Sequence, residues 1–127
     1  MITFQLKGES SYFTARKAIV YDVTLLPGAK KTLLKLPMTL YAAVVDALED
    51  LENYGADLQE PLVRYVGNGL REIRVTSRDG LGRAFYFFMK GRRIYVVHIL
   101  HKKTDKTPPN DLALAIKRMK TVKRNEP

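Results

Sequence analysis

The residues of this sequence that could do chemistry are mainly cations in its second half. Residues 67–127 contain 15 Lys and Arg against 5 Asp and Glu, a net charge of +10, whereas residues 1–66 contain 7 against 8, a net charge of −1. A one-sided positive field attracts partners that carry phosphates. A basic surface that only aids solubility is the simpler explanation. The asymmetry favours nucleic acid or another acidic partner instead.

Six of the cations on the predicted strands and on the loop that follows them, together with two histidines, are the candidates for chemistry. Arginine can bind phosphate oxygens in a bidentate manner, lysine supplies a point charge, and histidine can exchange a proton near neutral pH. Cleavage of RNA needs a base for the ribose 2′-hydroxyl, cations for the phosphorane and an acid for the leaving 5′-oxygen. We predict Arg74, Arg83, His98 and Lys102 as catalytic residues and Arg71, His101, Lys103 and Lys106 as RNA-binding residues.

Each of these residues also has a purely structural explanation. Arg74 could pair with a neighbouring acid, and His98 lies on an apolar strand where histidines often serve the core. The run of Lys102, Lys103 and Lys106 could be solvated charge, although a strand end and a helix start would fix that loop.

The sequence lacks the residues that other kinds of functional site require. The chain has no cysteine, which excludes disulfides, thiolate zinc sites and cysteine nucleophiles. His98 and His101 are three residues apart on a strand and point to opposite faces, so we expect no metal site there. Gly67-Asn68-Gly69 does not open a helix and lacks the third glycine of a nucleotide fingerprint. We predict no cofactor.

Three predicted strands position the cationic residues. They are Leu70–Thr76, Arg83–Lys90 and Arg92–Leu100. The second and third are apolar on both faces, as central strands covered on two sides should be. A basic loop follows, and Thr107 is predicted to cap a C-terminal helix with Pro108 or Pro109 in its first turn.

The first half of the chain adds a strand and two helices. Residues 18–26 are rich in β-branched and aromatic side chains and predict a strand, and residues 29–36 predict a short helix. Met38–Tyr54 has a continuous apolar stripe at helical spacing, and residues 62–66 form a short extended piece. Residues 1–17 are an N-terminal extension that could be an edge strand or a loose tail.

The order of elements predicts a single α+β domain over residues 18–124, with two N-terminal helices on one face of a largely antiparallel sheet and a C-terminal helix. The N-terminus shows no secretory signal, and no apolar stretch approaches the ~18 residues that a membrane span needs. We therefore expect a soluble cytoplasmic protein with no membrane partner.

Four motifs of the second half together resemble a known family. They are Gly69-Leu-Arg-Glu-Ile-Arg74, Arg83-Ala-Phe-Tyr86, Ile94-Tyr-Val-Val-His98 and Lys102-Lys-Thr-Asp-Lys-Thr-Pro108. The sequence resembles the RelE/ParE toxin superfamily over roughly residues 18–123, and within it the phage-related, HigB-type branch. The lysine-rich loop before a helix is the specific part of this pattern.

The resemblance implies a RelE-like toxin of a type II toxin–antitoxin pair that cuts mRNA on the ribosome without metal and inhibits translation. It also implies a cognate antitoxin, often a helix-turn-helix protein. By position, Arg74 and Arg83 match the family's phosphate-binding arginines, and Lys102–Lys106 matches its basic loop. Glu72 and His98 match recurrent positions without an assigned role. The tyrosine that some members use near the last helix has no counterpart around residues 107–111.

Two further functions stay open from the sequence. One is a non-enzymatic toxin of the same fold that inhibits a protein such as DNA gyrase. The other is a nucleic-acid-binding regulator without toxicity.

Overall fold

The structure is a computed structural model and describes residues 2–3, 20–102 and 107–126. These residues form six strands, three α-helices and one short 3₁₀-helix. In chain order they are β1 (Ile2–Thr3), β2 (Asp22–Leu25), α1 (Pro27–Leu34), α2 (Met38–Tyr54), the 3₁₀-helix (Gly55–Asp57), β3 (Val63–Gly67), β4 (Leu70–Ser77), β5 (Gly80–Met89), β6 (Arg93–Lys102) and α3 (Pro109–Asn125).

The strands form one mixed sheet in the order β1-β2-β6-β5-β4-β3. β2 runs parallel to β6, and the other neighbouring pairs of the described strands are antiparallel. Tight turns join β3 through β6, so these strands lie side by side as a meander. The predicted α+β class, with a largely antiparallel sheet, is confirmed.

The first two helices cover one face of the sheet. The apolar residues of α2 recur every three or four positions, and Leu40, Val44, Leu48 and Leu51 are all fully buried against that face. The approach is close at Gly82, where a Cβ atom would lie only 2.8 Å from Val75 Cγ2 and 3.1 Å from Leu40 Cδ1. The bounds of α2 agree with the prediction from periodicity.

The third helix packs on the opposite face. Its buried residues and apolar residues of β4, β5 and β6 together form a second apolar cluster. The fully or almost fully buried members are Leu70, Phe85, Phe87, Tyr95, Val97, Ala115, Met119 and Val122. Because helices cover both faces, the two central strands are apolar on both sides, as their sequences predict.

The first helix begins earlier than predicted. It runs from Pro27 to Leu34 rather than over residues 29–36, with Leu26 as its N-cap. Proline suits the first helical position because it has no N–H to leave unpaired and its φ is already helical. Gly28 continues the helix where space is short, since a Cβ atom there would lie 2.6 Å from Arg118 Nη2.

Other predicted boundaries are also wrong. β5 begins at Gly80 rather than Arg83, and β6 extends to Lys102 rather than ending at Leu100. The strand predicted from residue 18 is β2, and it starts at Asp22, because the preceding amides of Val20 and Tyr21 both donate to the Glu52 carbonyl near the end of α2. Thr107 does not cap α3: the N-cap position is Pro108, and the Thr107 hydroxyl donates to Glu72 Oε1 at 3.3 Å.

Part of the chain lies outside the described residues. Of the N-terminal extension, only residues 2–3 are described, and they pair with Leu25 and Thr24 as the edge of the sheet. Lys103 and Lys106 of the basic loop also lie outside.

Candidate functional site

Three adjacent strands bring the four predicted catalytic residues onto one face of the sheet. Arg74 of β4 lies directly opposite Arg83 of β5. Phe85, two residues after Arg83, lies opposite His98 of β6, and Lys102 lies opposite Leu81. Since opposite residues share a face and side chains alternate along a strand, all four project from the face on which α3 packs.

One end of this face carries charged rather than apolar side chains. Glu72, Arg74, Arg83 and Lys102 form a group that we call the strand-end cluster. Arg74 is half-buried, whereas Glu72, Arg83 and Lys102 are only 2–3% exposed. The chain therefore fixes several charges on rigid strands, where they cost free energy unless they are paired or solvated.

The central contact of the cluster is a buried ion pair. Arg83 Nη1 lies 3.6 Å from Glu72 Oε2, and both side chains are less than 5% exposed. Thr107 donates to the other carboxylate oxygen of Glu72, which ties the start of α3 to β4. In this arrangement the charge of Arg83 is balanced by Glu72, so a substrate phosphate would have to compete with a carboxylate for it.

A cavity of about 400 Å³ lies next to the cluster. Its lining consists of Pro61, Leu62, Arg74, Val75, Thr76, Leu81 and Arg83. The two arginines supply its cationic groups, and guanidinium is well suited to hold phosphate oxygens with paired hydrogen bonds. Arg74 is the more exposed of the two and is therefore the first that an entering phosphate would meet.

His98 is held between two residues of α3. Its Nε2 lies 2.8 Å from Asp111 Oδ1, and its Nδ1 lies 3.4 Å from Arg118 Nη1. Guanidinium can only donate, so Nδ1 accepts and the proton lies on Nε2, which donates to Asp111. The Phe85 ring stacks on the imidazole at 5.9 Å between centroids. Both nitrogens are engaged, so His98 fixes α3 on the sheet.

The other end of α3 is fixed by a second polar group. Glu126 Oε1 accepts hydrogen bonds from Arg93 Nη1 at 2.7 Å and from the Tyr95 hydroxyl at 2.8 Å. Both hydrogen bonds lower the pKa of Glu126, and the one from Tyr95 is the larger cause. Burial is the main cause that raises the pKa of Tyr95. Polar contacts thus hold α3 at both ends and set the position of its outer surface.

The structure separates two predicted RNA-binding residues from the cluster. Arg71 and His101 lie on the opposite face, the one that α1 and α2 cover. The Arg71 guanidinium lies 5.4 Å from the Phe88 ring centroid and 5.9 Å from that of Tyr65. His101 Nε2 lies 3.0 Å from the Asp79 carbonyl oxygen.

Sequence reasoning missed Asp111, Arg118 and Arg64. Asp111 and Arg118 continue the helical spacing of the buried residue Ala115, which was the available signal that they face the sheet. Arg64 of β3 is exposed and lies opposite Glu72, so it extends the cationic face by one strand. Its signal was weak, because the strand that carries it is short.

The described residues contain neither a metal-ligating group nor a membrane-spanning helix. No group of three or more His, Cys, Asp or Glu residues in them could hold a metal ion. None of their helices combines the length and the apolar character needed to cross a membrane.

Comparison with known proteins identifies the family of this α+β chain. Residues 31–120 match the family described as Phage derived protein Gp49-like (DUF891). The chain belongs to this family, and its resemblance to the phage-related branch of the RelE/ParE toxin superfamily is confirmed.

Among solved structures, the chain is similar to one from the RelBE2 toxin–antitoxin complex of Mycobacterium tuberculosis. The two are 22% identical with a TM-score of 0.49, and the match covers 66% of this chain and 100% of that one. A search of curated proteins found no match.

Proposed function

We propose that this protein is the toxin of a type II toxin–antitoxin system and that it cuts mRNA on the ribosome, which inhibits translation. The observation that carries the proposal is the strand-end cluster, in which two arginines line a cavity beside a buried carboxylate and lysine. Membership of a phage-derived family supports the biological setting. The proposed partners are mRNA, the ribosome and a cognate antitoxin of the helix-turn-helix type.

The proposed reaction begins with phosphate binding. The scissile phosphate enters the cavity at Arg74 and then draws Arg83 away from Glu72. The Glu72 carboxylate then no longer shares this contact with the guanidinium. Binding of the substrate would thus convert Glu72 from an ion-pair partner into a base.

The proposed chemistry then follows from the remaining groups. Glu72 takes the proton of the ribose 2′-hydroxyl, and the 2′-oxygen forms a bond to phosphorus. Arg74 and Arg83 stabilise the additional negative charge, and the bond from phosphorus to the 5′-oxygen breaks. Lys102 donates a proton to the leaving 5′-oxygen. His98 keeps α3 in place instead, since both its nitrogens are engaged.

Primer extension on translated mRNA tests the proposal. Wild-type protein should give cuts at defined codon positions only when ribosomes are present. Arg74→Ala should lower the cleavage rate by about 100-fold or more, because it removes a cation that stabilises the transition state. Lys90→Ala is the matched control, since Lys90 is exposed in the turn at the far end of β5.

Glu72→Gln separates base chemistry from binding. It should lower the cleavage rate by at least about 100-fold while RNA binding persists, because the amide cannot accept the proton. Undiminished cleavage by Glu72→Gln would remove Glu72 from the mechanism. Absence of cuts by the wild type, together with inhibited DNA supercoiling, would instead favour a toxin that binds gyrase.

A further inference from the structure

The two long helices carry opposite charge on opposite faces of the sheet. Over its 17 residues, α2 has four acidic residues and no Lys or Arg, a net charge of −4. Over its own 17 residues, α3 has five Lys and Arg and one Asp, a net charge of +4. The helix on the face of the strand-end cluster is therefore the positive one.

The outer surface of α3 carries three of these cations in a row. Lys117, Lys120 and Arg124, which we call the α3 stripe, are spaced three and four residues apart. This spacing puts them on one side of the helix, over about 10 Å along its axis. That side is opposite Ala115 and Val122, which are buried, and all three cations are exposed.

The other two cations of α3 already contribute to the fold. Arg118 Nη1 donates to the Val97 carbonyl at 2.9 Å, and Lys123 Nζ lies 5.4 Å from the Phe87 ring centroid. Among the ion pairs of the described residues, none includes a member of the α3 stripe. Like charges at this spacing destabilise a helix. The α3 stripe thus carries a cost that no ion pair among the described residues offsets.

The stripe and the cluster are connected through the helix itself. Asp111 holds the first turn of α3 to His98 beside the cluster, and Lys117 follows Asp111 by six residues, or about 9 Å along the axis. A polyanion that enters the cavity on this face therefore has further cations within reach along α3. Neighbouring phosphates of one RNA strand are separated by distances of this order.

We propose that the α3 stripe is a second RNA-binding site that holds backbone phosphates away from the cleavage site. This proposal rests on the proposed function, because the second site binds the same class of ligand, RNA. It is sequence-independent, because contacts with phosphates carry no base information. It fixes the protein on folded RNA such as that of the ribosome, while the strand-end cluster engages the scissile phosphate.

The test compares two variants of equal charge. One is Lys117→Gln/Lys120→Gln/Arg124→Gln. The control is Lys30→Gln/Lys31→Gln/Lys35→Gln, which removes three charges at α1 and its C-cap on the opposite face. Binding of a fluorescent RNA hairpin is measured between 50 and 300 mM KCl, and thermal unfolding verifies that each variant is folded.

The stripe variant should bind the hairpin about 10- to 100-fold more weakly than wild type at 100 mM salt. The slope of log K against log salt should fall by about 2 to 3, because each lost phosphate contact accounts for about 0.7 to 0.9. The control variant should change both quantities much less. Equal effects of the two variants would overturn the proposal, since net charge alone would then explain the loss.

Cleavage on ribosomes gives a second readout. The stripe variant should need more ribosomes for half-maximal cleavage, while its rate at saturation stays within about twofold of wild type. If wild type cuts no mRNA but the stripe variant still lowers the salt dependence of RNA binding, the proposed function fails and the second RNA-binding site is supported. If the stripe variant binds RNA normally and only loses binding of a purified antitoxin, the surface is a protein interface and the proposal fails.

Discussion

Burial gives Arg83 a structural role in addition to its proposed chemical role. The sequence presents it as one cation among many, but the fold gives it a buried partner in Glu72. A buried ion pair gains little over an apolar pair, whereas removal of one partner leaves an uncompensated charge. Arg83 is therefore as much part of the fold as of the proposed chemistry, and Arg74 is the cleaner residue for tests of function.

Arg83→Ala should lower the free energy of unfolding by about 3 to 5 kcal/mol, because Glu72 would stay buried without the guanidinium. Urea denaturation measures the change, and Arg74→Ala, at a half-buried position, should cost less than about 1 kcal/mol. The double variant Arg83→Met/Glu72→Leu should recover most of the loss. If Arg83→Ala proves no more costly than Arg74→Ala, the pair contributes nothing to stability.

Tyr86 gives a prediction for alkaline pH. Burial raises its pKa to about 12 from the ordinary value of 10.0. Between these two values the unfolded chain releases the phenol proton and the folded chain keeps it, so stability falls as pH rises from 10 to 12. Thermal unfolding should show a smaller loss in Tyr86→Phe than in wild type over this range. Tyr41→Phe is the control at an exposed position, and identical pH dependence of the two variants would contradict the prediction.

At the scale of the elements, α3 is the part of the fold whose position matters most. Asp111 holds its first turn to the sheet, and Glu126 holds its end. Between them, apolar residues pack on β5 and β6. A helix that is fixed at both ends keeps its outer cations at a constant distance from the strand-end cluster.

The hydrogen bonds to Glu126 should have a measurable effect in a carboxyl titration by NMR. The hydrogen bonds from Tyr95 and Arg93 lower the pKa of Glu126 below the ordinary value of 4.5. Tyr95→Phe should raise that pKa, since the Tyr95 hydroxyl is its largest cause. The contribution of Glu126 to stability is present above pH 4.5 and is lost as pH falls through the lowered pKa. An unchanged midpoint in Tyr95→Phe would mean that this hydrogen bond is absent in solution.

At the scale of the whole molecule, charge gives the protein a preferred orientation. α2 and α3 lie on opposite faces, so their separation is two layers of packing, each about 10 Å. This exceeds the Debye length of about 8 Å at 0.15 M salt but not that of about 30 Å at 0.01 M. The acidic helix therefore influences the basic face only at low salt.

Asp46→Asn/Glu49→Gln tests this separation. RNA affinity should change by less than about twofold at 150 mM salt and should rise clearly at 10 mM, since screening no longer hides the acidic face. Filter binding with an RNA hairpin measures both. A large increase at 150 mM would show that the acidic side chains lie close to bound RNA, which the arrangement of the helices does not allow.

The sequence by itself determined the α+β class, the extent of α2, the meander and the family, because these depend on periodicity and on local motifs. It also indicated Arg74, Arg83, His98 and Lys102 as candidate catalytic residues, but only strand register places them on one face. It did not determine the ends of helices and strands where tertiary contacts compete with strand pairing. At Val20, for example, the amide donates to α2 rather than to a neighbouring strand.

Only the tertiary structure decided which charges are buried and what they contact. The Glu72–Arg83 pair joins adjacent strands, and the contacts of His98 with Asp111 and Arg118 join a strand to a helix that follows it. Such contacts depend on strand register and helix position, which no local pattern encodes. The same packing put Arg71 and His101 on the opposite face from the cluster.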